Sequence, residues 1–128
     1  MRLLIDTHSF LWFIAGSEHL SATARALIED ESNQVFLSVG SLWEMAIKVS
    51  LGRLQLAQPF DVLMSENLRV NGISLLNITV GHAAEIARMP FHHRDPFDRL
   101  LIAQARVEDM PIVGTDEAFD VYGIRRLW

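Results

Sequence analysis

The chain has 128 residues, 50% of them apolar and 21% charged, which suits one folded domain (residues 1–128) with a sizeable core and excludes a disordered segment. It contains no cysteine, which excludes a disulfide framework and a thiolate metal centre. Its formal net charge of −5 excludes a nucleic-acid binder of the usual basic kind, but not a phosphodiester substrate reached through divalent cations held in an acidic pocket.

Short apolar runs alternate with helical patterns along the chain. "RLLID" is predicted as a strand and "SFLWFIAG" as a short helix closed by Gly16. Ser21 caps "ATARALIEDE", whose Ala24, Leu27 and Ile28 share one face. "QVFLS" is the second strand, "SLWEMAIKVSLG" a helix ending at Gly52, and "PFDVLMSENLRVNG" a helix between Pro59 and Gly72. "ISLLNI" reads as a third strand, "VGHAAEIARMP" and "DPFDRLLIAQARVEDM" as helices, "PIVGT" as a fourth strand and "IRRLW" as a fifth. The alternation predicts an α/β fold of three layers, with a central, mainly parallel sheet of four to five strands covered on both faces. The start, "MRLLIDTHSF", has a single basic residue and a short apolar run, so no secretory leader is expected. "FLWFIA" is too short to cross a bilayer, so a cytoplasmic protein without a membrane partner is expected.

In open α/β sheets ligands bind beyond the carboxyl ends of the strands. Asp6 ends the first strand there, and Thr115-Asp116 follow the fourth. Asp98 opens the helix before that strand, and Glu44 lies early in the helix after the second. Four carboxylates from four segments are thus expected on one edge of the sheet. Each also has a plainer reading. Asp6 fits a helix cap, and Ser41 to Glu44 a capping box. Glu44 with Lys48 fits an i,i+4 ion pair, and Asp116 an ordinary turn. Asp95 before Pro96 reads as N-cap then N1, with Asp98 at N3. Asp120 reads as surface, His92-His93 as loop polar residues, and Trp12 and Trp43 as core; no histidine pair has the spacing of a helical zinc motif. If the four acids do cluster, their mutual repulsion calls for a cation, and oxygen-only ligands suit Mg²⁺ or Mn²⁺.

"LLIDTHSFLWF", "LSVGSLWEMAIKVSLGRL", "HHRDPFDRLLIAQA" and "VGTDEAFDVYGIRRLW", in that order, resemble the signature segments of PIN-domain proteins, closest to the VapC-like toxins of bacterial type II toxin–antitoxin pairs. The resemblance runs from Arg2 to Trp128 and implies a PIN-like fold and Mg²⁺- or Mn²⁺-dependent endoribonuclease activity. It also implies a homodimer, an RNA substrate and inhibition by a cognate antitoxin. Its acidic site maps onto Asp6, Glu44, Asp98 and Asp116, with Thr7, Ser38 and Thr115 as hydrogen-bonding supports beside them. The family's last segment often separates the Thr or Ser from the acid, whereas Thr115 and Asp116 are adjacent here, which leaves Asp120 as an alternative to Asp116.

Other classes also place acids near a first strand. A phosphoaspartyl phosphatase has Asp-x-Asp after its first strand, but position 8 is His. A receiver domain needs an acceptor aspartate after a later strand, and neither "VFLSV" nor "SLLNI" ends in one. A catalytically inactive PIN-like binding domain, or a nuclease acting on DNA, stays open on sequence alone.

Overall fold

Five parallel strands form one sheet in the order β3–β2–β1–β4–β5. They are β1 (Arg2–Ile5), β2 (Gln34–Ser38), β3 (Ser74–Leu76), β4 (Ile112–Val113) and β5 (Arg126–Leu127). The computed structural model describes residues 1–92 and 94–128; His93, read above as a loop residue, lies outside the described residues. Helices α1 (Thr7–Ala15) and α2 (Ala22–Glu29) connect β1 to β2, and α3 (Val39–Ser50) and α4 (Phe60–Val70) connect β2 to β3. Helices α5 (Val80–Arg88) and α6 (Pro96–Glu108) carry the chain back across β1 to β4, and a 3-10 helix, Glu117–Tyr122, leads to β5.

The side-chain alternation of β1 decides which helix packs where. Leu3 and Ile5 enter a core with Phe10, Ala24, Ile28, Met45 and Met64, drawn from α1 to α4. Leu4, between them, enters the opposite core with Met89, Leu101, Ile102, Phe119 and Tyr122. All three β1 side chains are fully buried, which stabilises by about 1.5–3 kcal/mol for each. This is the three-layer α/β/α arrangement read from the alternation. Among the described residues no helix is long and apolar enough to cross a membrane.

Several boundaries differ from the sequence reading, for local reasons. β4 itself covers only Ile112–Val113, while its ladder bonds reach one residue beyond each end: Pro111 has no N–H to give but its carbonyl accepts from Leu4 N at 3.0 Å, and Gly114 N donates to the Leu127 carbonyl at 3.2 Å. β3 is confined to Ser74–Leu76, an edge strand paired on one side. α3 starts earlier than "SLWEMAIKVSLG": Ser38, extended at the end of β2, caps it by accepting from Gly40 N at 3.0 Å. Ser41 and Glu44 are therefore inside the helix, and the capping box between them does not form.

Candidate active site

The sheet order sets the place of the site. β2 and β3 lie on one side of β1, and β4 and β5 on the other. The chain therefore leaves the carboxyl ends of β1 and β4 in opposite directions, and a crevice opens between them, where α/β sheets bind ligands. A cavity of about 100 Å³ lies there, lined by Asp6, Thr7, His8, Glu44, Lys48, Asp95, Asp98, Asp116 and Phe119. All four acids singled out in the sequence face it. Among the described residues the roomier hollows bring no four acids together from separate segments: the one of about 410 Å³ has the consecutive Glu29, Asp30 and Glu31, and the one of about 570 Å³ beside Met110 and Tyr122 has one acid, Asp109.

Asp6 is the helix cap expected of it and also faces the cavity. It is the N-cap of α1, its Oδ1 accepting from Ser9 N–H at 2.8 Å, and its carboxyl faces the cavity although the residue is only 7% exposed. Burial raises its pKa above the ordinary carboxylate value, and the nearby charge of Asp116 adds to the rise; the Ser9 hydrogen bond and the charge of His8 oppose it. Asp6 is a buried acid whose charge is incompletely compensated.

Glu44 is held from two sides. Its Oε2 lies 3.2 Å from Lys48 Nζ, the ion pair expected from the i,i+4 spacing. Thr7 Oγ1 lies 2.9 Å from both Glu44 Oε1 and Ser41 Oγ. A carboxylate only accepts, so the single Thr7 proton goes to Glu44 and the Ser41 hydroxyl donates to Thr7. Asp95 caps α6, Oδ1 accepting from Phe97 N at 2.8 Å and Asp98 N at 3.4 Å, and also lines the cavity. The cap thus fixes the turn that presents Asp98. Asp116 caps the 3-10 helix through Ala118 N at 2.9 Å and still reaches the cavity. Asp120 does not: it is exposed and bound by both arms of Arg126, at 2.9 and 3.0 Å.

Of the three supporting residues expected beside the acids, Thr7 lines the cavity, whereas Ser38 is committed to capping α3 and Thr115 is exposed outside it. Some participants were missed. Gly114 is the clearest: a Cβ there would meet the Asp6 carboxyl, Cγ at 2.9 Å and Oδ2 nearer still. The β4 backbone can approach Asp6 only because this residue has no side chain. The sequence signal was present in "IVGTD", a glycine between strand and acid. His8 and Lys48 also line the cavity. Trp43 departs from the core reading. It is 64% exposed and packs edge-on against Phe97, with ring centres 5.6 Å apart.

A hard divalent cation fits this donor set. The acids supply oxygen ligands only, and a raised carboxylate pKa at Asp6 marks a place where positive charge is favoured. Among the described residues no group of three or more acids or histidines is gathered closely enough to hold a metal ion by itself.

Three comparisons bear on the chain. A PIN domain family model matches residues 3–124. Ribonuclease VapC16 of Mycobacterium tuberculosis is 35% identical over 60 residues, which span 47% of this chain and 43% of that relative, so under half the length of the curated relative is matched. The fold is similar to that of DNA-bound VapBC from Salmonella typhimurium, with TM-score 0.72, 16% identity and coverage of 98% of this chain and 96% of that one. It is also similar to VapBC2 from Rickettsia felis bound to a DNA fragment from their promoter, with TM-score 0.71, 12% identity and coverage of 98% and 97%. At such identities the likeness is one of fold.

Proposed function

The chain belongs to the PIN domain family, and from that premise we propose that it is a divalent-metal-dependent endoribonuclease, the toxin of a cytoplasmic type II toxin–antitoxin pair. The observation that carries this reading is the meeting of Asp6, Glu44, Asp98 and Asp116, from four separate segments, at one small cavity on the carboxyl edge of the sheet. The partly matched relative is a ribonuclease by name, and the structural neighbours were solved as VapBC assemblies. Both support a cognate antitoxin as partner, and the family resemblance supports a homodimer.

In this reading Asp6 and Asp98 hold a central Mg²⁺ or Mn²⁺, with Glu44 and Asp116 acting directly or through water. A bound divalent cation activates water and offsets charge on the phosphoryl oxygens. The chain's own part is positional. Ser9 N–H fixes Asp6 Oδ1, so that the cap holds the carboxylate in one rotamer. Thr7 and Lys48 immobilise the two oxygens of Glu44, leaving them as acceptors for the proton of an attacking water. Hydrolysis proceeds by in-line attack of water on phosphorus, and no side chain is needed as nucleophile.

The test is cleavage of a mixed single-stranded and structured RNA pool by the purified protein with Mn²⁺, Mg²⁺ or EDTA. Asp6→Asn keeps a side-chain oxygen for the α1 cap, so it is expected to fold and to lose at least about 10²-fold in rate, the scale of a lost electrostatic contributor. Metal-dependent cleavage retained by folded Asp6→Asn overturns the assignment. A parallel single-stranded DNA substrate separates the ribonuclease from a nuclease acting on DNA.

A further inference from the structure

We propose that the candidate active site lies at the middle of a trough that binds single-stranded RNA on both sides of the scissile bond, with Arg53 and Arg94 receiving the flanking phosphates. The proposal rests on the ribonuclease reading above. The acid cavity is not isolated. A hollow of about 580 Å³ extends from it along α1 and the segment after α3, and another of about 430 Å³ extends towards the start of α6. Lys48 lines the cavity and both hollows, Arg53 lines both hollows, and Arg94 lines the second. His8 joins the cavity to the first hollow; Glu44 and Asp95 join it to the second. The three spaces share walls and make one path, with acids at its centre and cations along it.

Charge makes this path unusual in the molecule. With 16 acidic residues against 11 Lys and Arg, the chain as a whole repels a polyanion. Binding one requires cations kept available locally. Arg2, Arg25, Arg88, Arg106 and Arg126 each sit in an ion pair and Lys48 is paired with Glu44, whereas among the described residues Arg53 and Arg94 sit in none, as is also true of Arg69 and Arg125 away from the path. Arg53 and Arg94 are exposed, and the planar guanidinium fork suits phosphate oxygens. Flat rings stand along both arms. Trp12 lines the first with His8, ring centres 5.8 Å apart, and Phe97 lines the second beside exposed Trp43. Rings of this kind stack bases without reading sequence. An acidic peptide would also suit the cations, but its carboxylates gain nothing from the central acids. A phosphodiester strand presents there the group on which those acids act.

Binding of a labelled single-stranded RNA is measured by fluorescence anisotropy over a range of salt concentrations, in the Asp6→Asn chain, where cleavage is off. Two double variants are compared on that background. Arg53→Gln with Arg94→Gln removes trough cations; Arg69→Gln with Arg125→Gln removes two exposed cations outside it. The trough pair is expected to weaken binding about tenfold or more at low salt and to flatten the log K against log salt slope by about 1.4, or about 0.7 per lost phosphate contact. The outside pair is expected to change affinity less than about twofold. In the cleaving chain, the trough pair raises KM more than it lowers kcat. Equal effects of the two pairs overturn the trough and leave the ribonuclease reading standing, because RNA is still bound. Absence of RNA binding by Asp6→Asn itself overturns both.

Discussion

Asp6 shows how one residue can serve a local need and stand at a candidate site at once. A carboxylate after a buried strand is a good helix cap, and the same carboxylate, at a crevice, is a good metal ligand. The two uses are compatible because capping occupies Oδ1 while Oδ2 faces Gly114. That close approach yields a sharp prediction. Gly114→Ala adds a single methyl group, yet it forces either Asp6 or β4 to move. Overpacking of this kind costs about 1–3 kcal/mol. The expected outcome is a folded protein with a lowered denaturation midpoint and RNA cleavage reduced at least about 10²-fold, as a misplaced catalytic group produces. Parent-like cleavage by Gly114→Ala would show that the contact is not needed to position Asp6.

At the scale of elements, the two helices after β3 are held together by buried polar side chains. Arg99 is 5% exposed. Its guanidinium donates to the carbonyls of Pro90 at 3.0 Å and Ile86 at 3.1 Å, at the carboxyl end of α5, and lies 4.1 Å from the centre of the Phe91 ring. It thus ties α5 to α6 while satisfying carbonyls that the helix end leaves without a partner. His82, fully buried, accepts from Thr79 N at Nδ1, so its proton sits on Nε2, 3.3 Å from Glu108 Oε2. These ties hold α6, and hence Asp98, in place. Arg99→Met keeps much of the packing volume but strands the carbonyls, at a cost of about 2–4 kcal/mol, and Arg99→Lys recovers little of it for want of the fork. Urea denaturation of the two variants checks this, with recovery by lysine as the contrary result.

For the whole molecule, the site and the stability of the fold are linked through Asp6. Its folded-state pKa lies above the model-peptide value of 3.8, chiefly because it is buried. The sign follows from proton binding: between those two values the folded state holds more protons than the unfolded one. The contribution of Asp6 to stability is therefore fully present below 3.8 and is lost as pH rises through the folded value. A cation at the cavity reverses that loss by replacing the proton. In EDTA, Asp6→Asn is expected to gain in Tm relative to the parent as pH rises from about 4 to 7. Mg²⁺ or Mn²⁺ at about 100 times Kd is expected to stabilise the parent by about 2.7 kcal/mol at neutral pH and the variant far less. A parent Tm that ignores both pH and metal relative to Asp6→Asn would remove the cation from this site.

Much of this was legible in the sequence because it is local. The strand and helix periods, the Asp95-Pro96 start of α6 and the Glu44–Lys48 spacing are properties of a few consecutive residues, and the four acids stood out because a carboxylate at the end of an apolar strand needs a reason. Other features depend on who the neighbour is. Ser38 rather than Ser41 caps α3 because the helix begins directly where β2 ends, two residues earlier than the pattern suggested, which places Ser41 inside it beside Thr7. Asp120 is turned from the cavity by Arg126, and Asp116 into it by the turn after β4. Trp43 was read as core because an aromatic on an apolar face usually is, and only the packing of α3 against α6 leaves it exposed. The sequence by itself determined the layers, the order of the elements and which acids were candidates, since those follow from periodicity and short-range backbone chemistry. The tertiary structure alone decided that the acids share one cavity, that Gly114 must lack a side chain, and that Arg53 and Arg94 line the adjoining hollows, since distance through space between residues far apart in the chain is set by the packing of the whole sheet.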